Sequence, residues 1–137
     1  MKHIVLGYDA TPAADRALVR TAELAKAFGA KVTVTSVARA LTPAGRGIGP
    51  IDPVDPPSLH AQEVATAKAK LAELGVEADS VTGIGDPARV IVEVAEERQA
   101  DLVVVGTRSA GLFGRLFTGS VSDEVHHEAP CDVLVVR

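Results

Sequence analysis

Residues 100–106 read Ala-Asp-Leu-Val-Val-Val-Gly, an uninterrupted apolar run between an aspartate and a glycine. Strands that are buried on both faces have this composition, and they occur in parallel sheets covered by helices on either side. A second run of the same kind occupies residues 133–136. The two runs therefore predict a parallel sheet whose other strands lie earlier in the chain.

Three further segments rich in β-branched residues precede these runs, at residues 4–6, 32–37 and 76–81. Apolar residues at helical spacing separate them, most clearly between Thr11, a predicted N-cap, and Gly29, a predicted stop, with Pro12 in the first turn. Similar stripes follow residues 59, 87 and 119. Strands alternating with helices predict one α/β domain over residues 1–137, a three-layer sandwich with helices on both faces of a five-stranded parallel sheet.

Residues 38–57 interrupt this alternation. They contain five prolines and three glycines, a composition that excludes a helix or an interior strand. The segment is predicted to be a long loop, and two interpretations stay open: a mobile excursion or a lid over a ligand.

The net charge of −4 and the pI near 5.5 argue against a broad basic surface, so nucleic acid and anionic membranes are not expected partners. The single cysteine, Cys131, cannot form an intrachain disulfide, which favours a reducing cytoplasm. The apolar run at the beginning of the chain is too short for a signal peptide, and none of the runs is long enough to cross a bilayer. A cytoplasmic protein is expected.

The segment from Gly106 to Ser122 carries the clearest chemical signal. Glycines and hydroxyl residues are concentrated there between the fourth strand and the last helix. Residues 119–122, Gly-Ser-Val-Ser, would present unpaired N–H groups and two hydroxyls at a helix N-terminus, which is a favourable site for phosphate. Taken alone, the same residues fit a strand end and a helix cap equally well.

The segment resembles the ATP-binding signature of the universal stress protein family: a glycine, two residues, a second glycine, nine residues, then Gly-Ser or Gly-Thr. Here the positions are Gly106, Ser109 and Gly119-Ser120, with serine in place of the second glycine. The resemblance extends to residues 4–9, 85–88, 100–106 and 129–136, and so covers nearly the whole chain.

This resemblance implies a sheet of order 3-2-1-4-5 and a nucleotide bound where strands one and four end. It implies that Asp9 and Val37 contact ribose and adenine, that Val105 lines the same pocket, and that Gly106 and residues 119–122 hold the phosphates. Arg108 either neutralises phosphate charge or lies in solvent. The full set of candidate residues is Gly7, Tyr8, Asp9, Val37, Val105, Gly106, Arg108, Ser109, Gly119, Ser120, Val121 and Ser122.

The function implied is that of an ATP-binding sensor or regulator, with Mg²⁺ accompanying the nucleotide. No residue is placed to activate a water molecule, so an efficient enzyme is not expected. The apolar strand at residues 133–136 would be an exposed edge, which predicts a homodimer. The principal alternative is a nucleotide-free interaction module; a true hydrolase or transferase is the weakest interpretation.

Other motifs carry less weight. Residues 83–88 fit the G-x-G-x-x-A dinucleotide pattern, but the acid that should end the next strand, Asp101, stands at its beginning. We interpret Asp86-Pro87 as a helix cap and first turn. His126 and His127 are interpreted as surface residues, and His3 and His60 as isolated ones.

Overall fold

A computed structural model describes residues 1–38, 57–107 and 120–137. Five strands alternate with four helices in chain order: β1 His3–Gly7, α1 Pro12–Phe28, β2 Lys31–Ala38, α2 Pro57–Glu73, β3 Ala78–Ile84, α3 Pro87–Glu97, β4 Leu102–Gly106, α4 Ser120–Glu128 and β5 Asp132–Val136. The predicted alternation is confirmed.

All five strands are parallel, and their spatial order is β3-β2-β1-β4-β5. The chain first adds strands on one side of β1, then returns to the other side for β4 and β5. Because parallel crossovers are right-handed, this change of direction moves the later helices to the opposite face of the sheet. α1 and α2 accordingly pack on one face, and α3 and α4 on the other.

Two apolar clusters fill the space between the sheet and its helices, one on each face. On the α1/α2 face, Leu18 and Leu71 are fully buried against strand residues such as Leu6. On the other face, Ile91 and Val125 pack against alternate strand residues that include Val5, Val103 and Val105. Central strands contribute to both clusters, which explains the continuous apolar composition of β4.

The predicted helix ends of α1 are confirmed. The Thr11 hydroxyl accepts a hydrogen bond from the Ala14 N–H at 3.2 Å, Pro12 occupies the first turn, and Gly29 ends the helix in the left-handed region at φ +65°. Asp86 caps α3 in the same way, accepting from the Arg89 N–H at 3.1 Å.

The bounds of β3 and of the Pro/Gly-rich loop require correction. Val76 is not in a strand, because its N–H donates to the Leu71 carbonyl at 2.9 Å and so completes the end of α2. Ala38 pairs with Ile84 at the end of β2, and Pro57 begins α2, a position at which a proline is tolerated. Both ends of the predicted loop therefore belong to regular elements. The rest of the predicted loop, residues 39–56, lies outside the described residues.

Within the described ranges, no helix has both the length and the apolarity needed to cross a membrane.

Candidate functional site

The candidate site lies where β1 and β4 end side by side. Gly7 pairs with Val105 in the sheet, yet the chain leaves β1 toward α1 on one face and leaves β4 toward the face that carries α4. A crevice opens at such a reversal in strand order, and ligands of open parallel sheets bind there. The structure thus places the ends of these strands as the sequence predicts.

Three predicted site residues share the α3/α4 face, two of them from the base pocket and one from the phosphate set. Val105 is buried in the cluster on that face, and Val37 and Val121 pack against the cluster while remaining half-exposed. Val37 comes from β2, Val105 from β4 and Val121 from the first turn of α4. Val37 and Val105 therefore supply apolar side chains near the carboxyl ends of their strands, which suits the face of a planar base.

Asp9 lies just beyond β1 in a tight turn. Its Oδ1 accepts hydrogen bonds from the Thr11 hydroxyl at 2.6 Å and from the Thr11 N–H at 3.2 Å. Between them, Ala10 has a φ of +59°, a backbone conformation that side-chain-bearing residues rarely adopt. The two hydrogen bonds hold the half-buried Asp9 carboxylate in a defined position at the strand exit.

Gly106 is required by helix packing. A Cβ added there would lie 2.6 Å from the Ala13 carbonyl carbon and 2.8 Å from the Ala14 nitrogen. These are backbone atoms of the first turn of α1, so they cannot move without moving the helix. The structure shows that this glycine lets α1 approach. Its contact with phosphate stays a prediction.

Tyr8 contributes little to the crevice. Its ring is buried on the α1/α2 face, where the hydroxyl donates to Asp15 at 2.8 Å and accepts from Lys70 at 3.3 Å. Burial and the bond to Asp15 raise the pKa of Tyr8, and the bond to Asp15 raises the pKa of Lys70. Because side chains alternate along a strand, Tyr8 points away from the face of Val37 and Val105, and only its backbone lies at the exit.

The phosphate half of the predicted site is described in part. α4 begins at Ser120, and Val121 and Ser122 are half-buried in its first turn. The N–H groups of that turn have no partners within the helix, so they are suited to an anion. The predicted residues Arg108, Ser109 and Gly119 lie outside the described residues.

Asp101 and the pair His126 and His127 are placed as expected. The Asp101 carboxylate accepts from the backbone N–H groups of Lys2 and His3, at 2.6 and 2.9 Å, at the opposite edge of the sheet from the crevice. The dinucleotide interpretation of residues 83–88 therefore fails on geometry. His126 and His127 are exposed, with their rings 5.5 Å apart.

A polar cluster at His60 was missed from the sequence. The Ser36 hydroxyl donates to Glu63 Oε2 at 2.6 Å and lies 2.8 Å from His60 Nδ1, and Ser36 and His60 are buried between β2 and α2. The hydroxyl of Ser36 has one proton, and it donates that proton to Glu63. The bond between Ser36 and His60 therefore needs a hydrogen on His60 Nδ1, which the serine oxygen accepts. Helical spacing was the available signal: His60 stands four residues before Val64, on the buried stripe of α2.

Comparison with known proteins is consistent with this geometry. The family model described as "Universal stress protein family" matches residues 1–137. The chain belongs to that family. A universal stress protein of Thermus aquaticus is 35% identical over 145 residues, an alignment that covers 99% of this chain and 98% of the relative.

Solved structures of universal stress proteins share the fold. UspA from Lactobacillus plantarum superposes with a TM-score of 0.75 at 24% identity, covering 99% of this chain and 97% of that one. A universal stress protein from Archaeoglobus fulgidus, solved in complex with dAMP, gives a TM-score of 0.71 at 23% identity and covers 100% of this chain and 98% of its own. These likenesses establish the architecture of this family member.

Proposed function

We propose that this universal stress protein binds ATP, or a closely related adenine nucleotide, in the crevice between β1 and β4, and that it acts as a nucleotide-dependent regulator. The observation that carries the proposal is the convergence of Val37, Val105 and Asp9 at one edge of the sheet. An apolar surface beside a fixed carboxylate suits a base and a ribose. The dAMP bound by the Archaeoglobus fulgidus protein supports an adenine nucleotide as the ligand.

The base and ribose would be held by described residues. The half-exposed Val37 would pack against the base, with the buried Val105 forming the floor beneath it. The Asp9 carboxylate would accept hydrogen bonds from ribose hydroxyls. The turn that fixes Asp9 is already formed by its bonds to Thr11, so little ordering remains to be done on binding.

The phosphates would lie at the start of α4. Backbone N–H groups from Gly119 to Ser122 and the hydroxyls of Ser120 and Ser122 are the donors that we assign to them, together with Arg108 and Ser109. Within the described ranges, His, Cys, Asp and Glu form no group of three that could hold a metal ion. Mg²⁺ would accordingly enter with the triphosphate and be held mainly by phosphate and water oxygens.

Binding is the proposed activity, and rapid turnover is not. The Asp9 carboxylate is engaged with Thr11 rather than placed for water activation. Slow hydrolysis or self-phosphorylation is compatible with this arrangement.

The test begins with freshly purified protein, which is denatured so that any released nucleotide can be identified by mass spectrometry. ATP is then titrated into the emptied protein by calorimetry. We expect saturable binding that Gly119→Val abolishes, because a branched side chain would obstruct the amides that we assign to the phosphates. Glu124→Gln, on the exposed side of the same helix, is the matched control and should bind ATP normally.

A nucleotide-free interaction module is the second candidate. The observation that favours it is the apolar edge strand β5, in which Val135 is 37% exposed. Pairing of β5 with a second copy would give a homodimer without any ligand. Protein that is purified empty and gives no heat with ATP, ADP, AMP or cyclic AMP would favour this module over the nucleotide-dependent regulator.

A further inference from the structure

Thr35 carries a buried hydroxyl to which no described residue forms a hydrogen bond. The residue is 1% exposed in the middle of β2, and its Oγ1 has no hydrogen-bond partner among the residues that the structure describes. A buried hydroxyl without a partner destabilises a fold, whereas valine has nearly the same shape and would avoid this cost. A ligand would give this hydroxyl the partner that it lacks.

The position of Thr35 connects it with the candidate base pocket. Thr35 of β2 pairs with Gly7 of β1, and Gly7 pairs in turn with Val105 of β4. The three residues therefore form one row on the α3/α4 face. Val37 lies two residues further along β2 on the same face, roughly 7 Å away at the usual strand rise. Thr35 is therefore the sheet neighbour of Gly7 and lies two residues before Val37, and both of these residues are assigned to the candidate site.

The space above Gly7 is filled by a side chain that can move. A Cβ built at Gly7 would lie 3.0 Å from Ile91 Cδ1 and 3.1 Å from Val105 Cγ1. Ile91 Cδ1 is the far end of a flexible side chain, and a change of its rotamer would open a path toward Thr35 over a residue without a side chain.

We propose that Thr35 reads the polar edge of the bound base: its hydroxyl donates to a ring nitrogen of the purine, directly or through one water molecule. The inference rests on the proposed nucleotide site and adds a specificity-determining residue to it. A hydroxyl can donate and accept, so it can satisfy a ring nitrogen that an apolar pocket would leave unpaired.

Thr35→Val is the decisive substitution because two measurements should change in opposite directions. Without ligand, removal of the unpaired hydroxyl should raise Tm by about 3 °C. In calorimetry with ATP, the same variant should bind about tenfold more weakly. Thr35→Ser keeps the hydroxyl and should retain the affinity of the unmodified protein.

Thr33→Val is the matched control. Thr33 is on the same strand and the same face, and it is also fully buried, but its hydroxyl is 2.8 Å from His3 Nε2. This substitution should lower Tm and leave ATP affinity unchanged, since the residue is one pleat further from the crevice.

The nitrogen itself is identified with 1-deaza, 3-deaza and 7-deaza analogues of ATP. For the analogue that lacks the nitrogen bound by Thr35, the unmodified protein and Thr35→Val should bind equally.

The outcomes separate the two proposals. If the unmodified protein binds ATP and Thr35→Val binds it equally well, the Thr35 inference is overturned and the nucleotide site stands. A lowered Tm for Thr35→Val would show that the hydroxyl has a partner within the protein, which also overturns the inference. If the unmodified protein binds no adenine nucleotide, both proposals are overturned.

Discussion

At the scale of single residues, glycines that lack room for a Cβ differ in what stands in the way. At Gly106 the obstructing atoms are backbone atoms of α1, at 2.6–2.8 Å, whereas at Gly7 they are side-chain ends at 3.0 and 3.1 Å. Gly106→Ala should therefore destabilise the protein by about 3 kcal/mol, and Gly7→Ala by about 1 kcal/mol or less. Urea unfolding of both variants measures the difference, and equal losses would contradict the packing explanation.

Ala10 is a second residue whose backbone conformation determines its tolerance to change. At its φ of +59° an alanine is strained by roughly 1 kcal/mol, and glycine is not. Ala10→Gly should leave stability unchanged or raise it slightly. Ala65→Gly, on an exposed position within α2, should instead lose about 1 kcal/mol. Similar losses in the two variants, measured by urea unfolding, would contradict the strain at Ala10.

At the scale of residues, the sequence predicted which positions lie near the strand ends better than it predicted what their side chains contact. Gly106 was assigned to the phosphate site, which stays a prediction. Its packing role was missed, because the helix that approaches it comes from a part of the chain that no local pattern links to it. Tyr8 was assigned to the crevice through its neighbours Gly7 and Asp9, although alternation along the strand turns its ring to the opposite face.

At the scale of elements, the buried cluster of Ser36, His60 and Glu63 ties α2 to β2. Glu63→Ala would remove the carboxylate that bonds to Ser36 and His60, so each of these two buried groups would lose one partner. We expect a loss of about 2 kcal/mol. Glu73→Ala, at an exposed position of the same helix, is the control and should change stability by less than about 0.5 kcal/mol. Thermal unfolding of the two variants is the measurement, and an unaffected Glu63→Ala would show that the cluster is dispensable.

The elements themselves were predictable because their signals are local. Caps, apolar stripes and β-branched runs located every helix and strand, and Thr11 and Gly29 marked the ends of α1 correctly. β3 was displaced toward the N-terminus because Val76 is apolar and β-branched, yet its N–H closes the preceding helix. The His60 cluster needed the pairing of α2 with β2, a tertiary contact that periodicity alone indicates only as burial.

At the scale of the whole molecule, His3 should make stability depend on pH. Burial, followed by the charges of Arg98 and Lys31, lowers the pKa of His3 from its ordinary value of 6.5. The unfolded chain therefore takes up a proton near pH 6.5 that the folded protein takes up only at lower pH. The stability that unprotonated His3 contributes is present above pH 6.5, and it is lost as the pH falls from 6.5 toward the pKa of His3 in the folded protein.

His3→Gln tests this dependence. Urea midpoints are measured for both proteins at neutral pH and near pH 5. The variant should lose less stability on acidification than the unmodified protein, because glutamine has no proton to take up. Equal losses in the two proteins would show that His3 does not contribute.

The proposed dimer is also tested at this scale. Val135→Lys places a charge on the apolar edge strand β5 and should give a monomer by size-exclusion chromatography with light scattering. Thr82→Lys, at an exposed position on the opposite edge strand β3, is the control and should remain dimeric. An unmodified protein that is strictly monomeric at micromolar concentration would contradict the homodimer.

The two edge strands of the sheet, β3 and β5, differ in a way that limits the addition of further copies. β3 carries Asp79, Ser80 and Thr82 as exposed residues, with Arg98 held 3.9 Å from Asp79, while β5 is largely aliphatic. Polar and charged flanks resist the addition of further strands. If two copies pair through β5 as proposed, the polar flank at β3 should keep further copies from adding, so the assembly should stop at the dimer instead of growing into fibrils.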